Sequence, residues 1–330
     1  MSQVDILHPQ RLVRDVLRAS AITIRSVEDV ARAMSTTDPT SRSTHPIARA
    51  LSVAASAMDL GSAFAAGYWA ATETLLTACG APSNPGERTS LAVTERGGAH
   101  PRAIEVTLHR EGDLLRLAGQ KSFATLADRS THVLVVAKDA RDPEAPPAPH
   151  PRLVAVRVPI PHEGLTFSEG MRVPFCPEIS HPVLHLATAP SSALERVGND
   201  AFVDVLQRFR TIEDRAVIAS ALSYLLAWSV RATLALDAQA KLVHLLSDVL
   251  LRVARPDDEL ERLAALGMSA LLRQTVAELL PLFESKRDSF DGGASFVMNL
   301  SRDVGLLSVA ERLRIARASK AFDALTSGST

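Results

Sequence analysis

The chain carries only two cysteines, Cys79 and Cys176, and no excess of either charge. Two thiols so far apart make neither a zinc spacing nor a redox pair, and read as ordinary reduced thiols of a cytoplasmic protein. The formal net charge is −1 over 330 residues, with both signs scattered. A nucleic-acid or anionic-membrane partner calls for a clustered basic face, so neither is expected. Long hydrophobic runs are also missing. The longest, Val217 to Val230, sits between Arg215 and Arg231. It is shorter than the roughly 20 apolar residues that cross a bilayer, so it reads as a buried helix and no membrane span is expected. The start, Met1-Ser-Gln-Val-Asp5, lacks the basic-then-apolar profile of a secretion signal, which makes the sequon Asn299-Leu300-Ser301 a chance match. No P-loop, dinucleotide fingerprint, zinc spacing or nucleophile elbow occurs. His181 and His185 are four apart in a segment of strand character, which gives no reason for metal binding.

What is present is apolar sequence whose period changes twice. At 46% hydrophobic residues, the chain can bury cores in two or three domains. Residues 8–34 carry helical spacing through Leu12, Val13, Val16, Leu17 and Ile22. A polar, proline-containing break follows over 35–45. Residues 47–79 are alanine-rich, interrupted by Gly61 and Gly67, and predict two closely packed helices. Gly80-Ala-Pro-Ser-Asn-Pro-Gly86 marks a boundary. Alternation then takes over. Ile104, Val106 and Leu108, a turn at Glu111-Gly112-Asp113, then Leu115 and Leu117 form a hairpin signal. Residues 132–136, 153–158 and 183–186 predict further strands, with a proline-rich loop over 142–151. From Phe202 the helical period returns, over about 203–237, 240–254, 258–285 and 303–324. Pro256-Asp257-Asp258 reads as a helix start and Asp291-Gly292-Gly293 as a stop. The expected domains are therefore 1–86 helical, 87–200 β and 201–330 helical.

Four marks stand in order across this frame: Leu91-Ala-Val-Thr-Glu95 running into Gly97-Gly98, Gly119-Gln-Lys-Ser-Phe-Ala-Thr125, Gly170-Met171-Arg172, and Glu213-Asp214-Arg215. In that order and spacing, over residues 88–235, the chain resembles the acyl-CoA dehydrogenase family of flavoproteins. The resemblance implies an α+β fold with a short N-terminal α domain, a central β domain and a C-terminal four-helix bundle. It implies FAD as cofactor and α,β-dehydrogenation of an acyl-CoA or carrier-bound acyl thioester. An electron acceptor such as an electron-transfer flavoprotein and a homodimer or homotetramer go with it. A non-catalytic partner subunit or a flavin-dependent monooxygenase on the same fold are the alternatives.

That chemistry needs an apolar slot for the isoalloxazine ring, donors for the thioester oxygen and a carboxylate at the α-carbon. By resemblance, Thr94 and Thr125 would bond the ring edges, Phe123 would replace the family tryptophan as the stacking face, and Leu91 and Val93 would flank the pyrimidine end. Thr94, Phe123 and Thr125 also suit plain strands. His100 and Pro101 stand where the family has Ser and Asp. His100 reads either as a contact to a substrate phosphate or thioester or as a surface loop histidine. Arg215 matches the family's acidic-Arg pair beside the substrate. The base has two candidate positions. Asp214 heads a stripe with Ile218, Ala221, Leu225 and Trp228, where desolvation would favour a working base. It also sits in Thr211-Ile-Glu-Asp214, a capping-box-like spacing. Glu311 has the family's spacing after Arg302-Asp303. It lies opposite the face made by Leu306, Val309, Ala310 and Leu313, as a solvated surface acid would. The family's Arg-x-x-Phe-Gly, Phe-Gln and His-Gly-Gly segments, which grip the flavin diphosphate, have no match in Leu236–Leu242. Only Gly292-Gly293 remains of the last.

Overall fold

The computed structural model describes residues 8–19, 21–35, 45–140, 152–253, 255, 258–309 and 311–327. They fall into two compact units. One comprises Met1–Ala71, Val173–Glu178 and Thr211–Thr330; the other comprises Thr72–Arg172 and Ile179–Arg210. The expected first and third domains thus share one unit.

The physical reason lies in α5 (Arg208–Arg231). Ala219, Leu222, Leu226 and Trp228 are all fully buried, so the second half of this helix is buried all round and needs partners on every side. The N-terminal helices α1 (Pro9–Arg18), α2 (Val27–Ser35), α3 (Pro46–Ala55) and the start of α4 (Leu60–Ala78) supply some of them. Ser223 Oγ donates to Leu51 O at 2.8 Å, and Trp228 Nε1 donates to Ala57 O at 3.0 Å. Two of the polar groups on this helix that hydrophobic burial would otherwise strand are satisfied in this way. On the C-terminal side, Trp228 stacks on Phe296 with centroids 4.4 Å apart, and Phe283 meets Phe296 edge-on at 4.6 Å. These aromatic contacts add to area burial.

α6 (Leu236–Arg252), α7 (Glu259–Lys286), α8 (Gly293–Asp303) and α9 (Glu311–Thr326) complete this unit. Asp258 caps α7, its carboxylate accepting from Glu261 N at 2.8 Å; of the predicted start signal, Pro256 and Asp257 lie outside the described residues. α7 is the one described helix long and apolar enough to cross a membrane by length and composition alone. Its buried residues Met268, Leu272, Thr275, Val276, Leu279 and Phe283 recur at bundle spacing.

Three sequence expectations are corrected here. The segment predicted as one helix over 303–324 is the last residue of α8, a 3-10 turn at Val304–Ser308, and α9. Gly292, with φ 74, is the N-cap of α8 and so starts a helix. Leu306 and Val309 therefore precede α9, and the face read through them does not exist. Thr211–Asp214 lie inside a helix that begins upstream with a π segment, Ala201–Gln207. The cap is Asp200, whose side chain accepts from Phe202 N and Val203 N, so the capping-box reading of Thr211 fails.

The other unit is built on an eight-stranded mixed sheet: β1 (Thr89–Ala92), β2 (Thr107–Glu111), β3 (Leu114–Lys121), β4 (His132–Asp139), β5 (Leu153–Pro159), β6 (Leu165–Ser168), β7 (Val183–Ala187) and β8 (Glu195–Val197). The order is β6-β7-β3-β2-β4-β5-β8, with β1 parallel to β4. The predicted hairpin is present, Leu108 pairing with Leu117 and Glu111 with Leu114. The proline-rich loop over 142–151 and most of the break over 35–45 lie outside the described residues. β1, β6 and β8 were not legible as strands, being four residues or fewer. The core runs through Val106, Leu117, Val133, Val135, Val156 and Leu184. Both cysteines are free thiols.

Candidate functional site

The five residues expected around a flavin ring come from two neighbouring stretches of the β unit. Leu91, Val93, Thr94, Phe123 and Thr125 are each partly exposed, whereas Ala92, Glu95 and Ala124 between them are buried. Of these, Leu91 lies in β1, Val93 and Thr94 directly follow that strand, and Phe123 and Thr125 follow the end of β3. Ser122 N donates to Thr94 O at 2.8 Å, which joins the stretches. Ala124 N donates to Pro182 O and Leu126 N to Ser180 O, each at 2.9 Å. These bonds bring His181 beside Phe123 and Thr125. The Phe123 and His181 rings meet edge-on at 5.9 Å, and Thr125 Oγ1 lies 3.2 Å from His181 Nδ1. Burial lowers the His181 pKa, opposed by the Asp128 carboxylate, so the imidazole is neutral at neutral pH. The sequence marked this histidine only by its spacing from His185, which pointed to no role, and by the Gly170-Met171-Arg172 motif ahead of it. A Cβ on Gly170 would lie 1.8 Å from His181 O, so only glycine lets the two backbones meet there.

A buried ion pair braces the face from behind. Lys121 Nζ lies 2.6 Å from Glu95 Oε1, the two side chains being 0% and 3% exposed. Lys121 also donates to Val93 O and Val136 O, while Glu95 accepts from Glu105 N and Val106 N. Desolvation lowers the Lys121 pKa to about 8, with Glu95 opposing. The Glu of the first motif and the Lys of the second thus meet as a structural pair that fixes both loops. His100 lies apart from this face's hydrogen bonds. Its Nδ1 accepts from Arg102 N at 3.2 Å and caps the turn Pro101–Ala103 on an exposed loop.

In the helical unit both candidate bases are ion-paired. Asp214 Oδ1 accepts from Arg314 Nε at 3.1 Å and Nη2 at 2.7 Å. The apolar stripe of Ile218, Ala221, Leu225 and Trp228 is buried as expected, yet the carboxylate at its head is held by a guanidinium. Arg215 donates to Arg255 O at 2.7 Å and to Glu261 Oε2 at 3.2 Å. Glu261 also takes Arg252 and Arg255, so Arg215 belongs to a network inside the bundle. Glu311 pairs with Arg273 of α7, which corrects its reading as an acid left to solvent. Where the diphosphate motifs are absent, Lys241 pairs with Glu278 and Gly293 approaches Arg287 O too closely for any Cβ.

An acidic cluster in this unit carries no signature in the sequence. Asp59 caps α4, accepting from Ser62 N at 2.6 Å, and is 5% exposed. Burial, with Glu178 and Asp303 nearby, raises its pKa to about 6. Asp303 accepts from Cys176 N at 2.7 Å and from Arg302, which also holds Glu178 at 2.8 Å. Among the described residues, no group of three or more His, Cys, Asp or Glu could hold a metal ion.

A flavin ring asks for an apolar surface with hydrogen-bonding edges. A half-exposed phenyl ring, two aliphatic side chains and two hydroxyls on one rigid face fit that part of the cofactor. No protein-family model and no curated protein matches this chain. Solved structures do match. AnaB, a prolyl acyl carrier protein oxidase, is similar over 94% of this chain and 97% of its own, with a TM-score of 0.68 at 15% identity. PigA with FAD and proline is similar over 95% and 97%, with a TM-score of 0.66 at 12% identity. Butyryl-CoA dehydrogenase from Megasphaera elsdenii is similar over 95% and 97%, with a TM-score of 0.61 at 12% identity. Identities this low speak to the fold alone.

Proposed function

We propose that this chain, whose fold is that of the acyl-CoA dehydrogenase-like flavoproteins, is an FAD-dependent oxidoreductase acting on an acyl thioester of CoA or of a carrier protein. One observation carries the reading: Leu91, Val93, Thr94, Phe123 and Thr125, at the motif positions, stay partly exposed at and beyond the ends of β1 and β3, in a fold matched along nearly the whole chain. Bound FAD would supply the acceptor for the β-hydride of the substrate. Thr94 and Thr125 would bond the ring edges, Phe123 would cover its flat side, and Leu91 and Val93 would keep water from its pyrimidine end. Asp214 takes the α-proton, which requires that Arg314 leave it first. Glu311 would need the same release from Arg273. His100 and Arg215 meet the substrate only if they give up their present partners. The electrons pass to an acceptor such as an electron-transfer flavoprotein, and the protein works as a homo-oligomer in the cytoplasm.

The guanidinium on each candidate base favours a second reading, a non-catalytic partner subunit that keeps the flavin face but not the base. Anaerobic flavin spectra separate the two. The purified protein is loaded with FAD and titrated with a panel of acyl-CoAs and acyl-carrier thioesters. Bleaching that is lost in Asp214→Asn and kept in Glu311→Gln supports the oxidoreductase with Asp214 as base. Bound FAD that no thioester bleaches supports the partner subunit. Failure to take up FAD sinks both.

A further inference from the structure

His181 belongs to none of the four family-like motifs, yet its side chain is in polar contact with the proposed flavin face. Its Nδ1 lies 3.2 Å from Thr125 Oγ1, and its ring meets the Phe123 ring edge-on at 5.9 Å. The backbone leaves it little freedom. The bonds Ala124 N to Pro182 O and Leu126 N to Ser180 O clamp it from one side. On the other, Met171 N donates to His181 O at 3.2 Å, where the lack of a Cβ at Gly170 allows the approach. Ser180 donates to Asp128 in the next turn, which anchors the same strand entrance.

A threonine hydroxyl has one proton and two lone-pair sites. Left alone it rotates, and offers a ligand either role. Bonded to a fixed imidazole nitrogen, it stops rotating and its two remaining sites point in fixed directions. We propose that His181 is a positioning residue of the flavin site, which fixes the Thr125 hydroxyl and the Phe123 ring so that together they hold one edge and one side of the isoalloxazine ring. This rests on the flavin reading given above, and it adds a residue that the motifs do not contain.

The proposal predicts coupling between positions 181 and 125. FAD affinity and the visible flavin spectrum are measured for the full chain, for His181→Leu, His181→Asn, Thr125→Val and His181→Leu/Thr125→Val. Folding is checked by circular dichroism. The asparagine amide reaches roughly where Nδ1 stands and can bond the hydroxyl, so His181→Asn should restore most of the affinity. His181→Leu should weaken FAD binding about tenfold, the net worth of one hydrogen bond, and shift the flavin absorption band. Once Thr125 is Val, His181→Leu should cost little more. Equal and additive losses, or no rescue by Asn, would overturn the positioning role while leaving FAD binding intact. Unchanged FAD binding in every variant would do the same. If the unaltered protein binds no FAD at any concentration tested, the functional reading falls, and this inference falls with it.

Discussion

Glu95 and Lys121 entered the sequence as letters of two motifs, and geometry gives them a common task. A fully buried ion pair is costly to break because the survivor is left charged and unpaired. Lys121→Met should therefore lose about 3–5 kcal/mol of stability in urea unfolding. Adding Glu95→Gln should return part of that loss, since the amide oxygen still accepts from Glu105 N and Val106 N. An additive double variant would mean that the pair contributes nothing as a pair. Asp59 makes the opposite case. Its folded pKa is raised to about 6 from an ordinary 3.8, so its favourable contribution is fully present below about 3.8 and disappears as pH rises through 6. Asp59→Asn keeps an acceptor for Ser62 N and removes the ionisation. The variant should be more stable than the parent at pH 8 by about 1–3 kcal/mol, with the advantage shrinking between pH 6 and pH 4. A constant difference across that range would show that the charge is not what matters. The sequence could not announce Asp59, because its shift comes first from burial in the folded unit and then from Glu178 and Asp303, which are distant in the chain. By contrast, Leu91, Val93, Thr94, Phe123 and Thr125 are named from motif order alone, and the structure places them as partly exposed residues at and beyond the ends of β1 and β3.

Among the elements, the small residues of the N-terminal segment predicted close helix packing, and Gly67 shows how close. A Cβ there would lie 2.9 Å from Ala216 O and 3.0 Å from Val217 Cα, both backbone atoms of α5. Neither can swing aside as a flexible side chain could. Gly67→Ala, despite its better helix propensity, should destabilise the protein by about 1–3 kcal/mol through overpacking. A thermal midpoint at or above the parent's would show that α4 and α5 can separate without loss. Long periodic elements such as α4, α7, β4 and β5 were readable because each repeats one pattern long enough to fix its type. The end of the chain was misread where that condition fails. α8 begins at a glycine pair that resembles a stop. α9 has only Ala318 and Ala321 as buried residues, so its period carries almost no core signal. The pairing of Glu311 with Arg273 follows from α9 lying along α7, a tertiary fact that spacing within one helix does not contain.

For the molecule as a whole, the helical, β, helical order was visible in the changes of period, but the grouping of its outer parts into one unit was not. That grouping rests on a single helix whose second half is buried on all sides, and sequence shows that a helix is apolar without showing who covers it. The same question arises at the surface. Among the described residues, ten of the sixteen large apolar side chains left exposed lie on α6 to α9, including Leu260, Leu271 and Leu282 on α7 and Leu313, Ile315 and Phe322 on α9. Monomers seldom leave so much apolar area uncovered, and a second copy of the same chain is the commonest cover for it. A homodimer or a dimer of dimers is therefore expected by light scattering at micromolar concentration. Leu313→Asp/Phe322→Asp should shift the protein toward monomer while leaving its circular dichroism unchanged, because both side chains are about half exposed or more, at 49% and 57%. If flavin retention falls with dissociation, the site draws on a neighbouring copy. If it does not, the face on the β unit is sufficient by itself. A parent protein that is monomeric would remove assembly from the functional reading altogether, and the apolar surface of α7 and α9 would then need another partner.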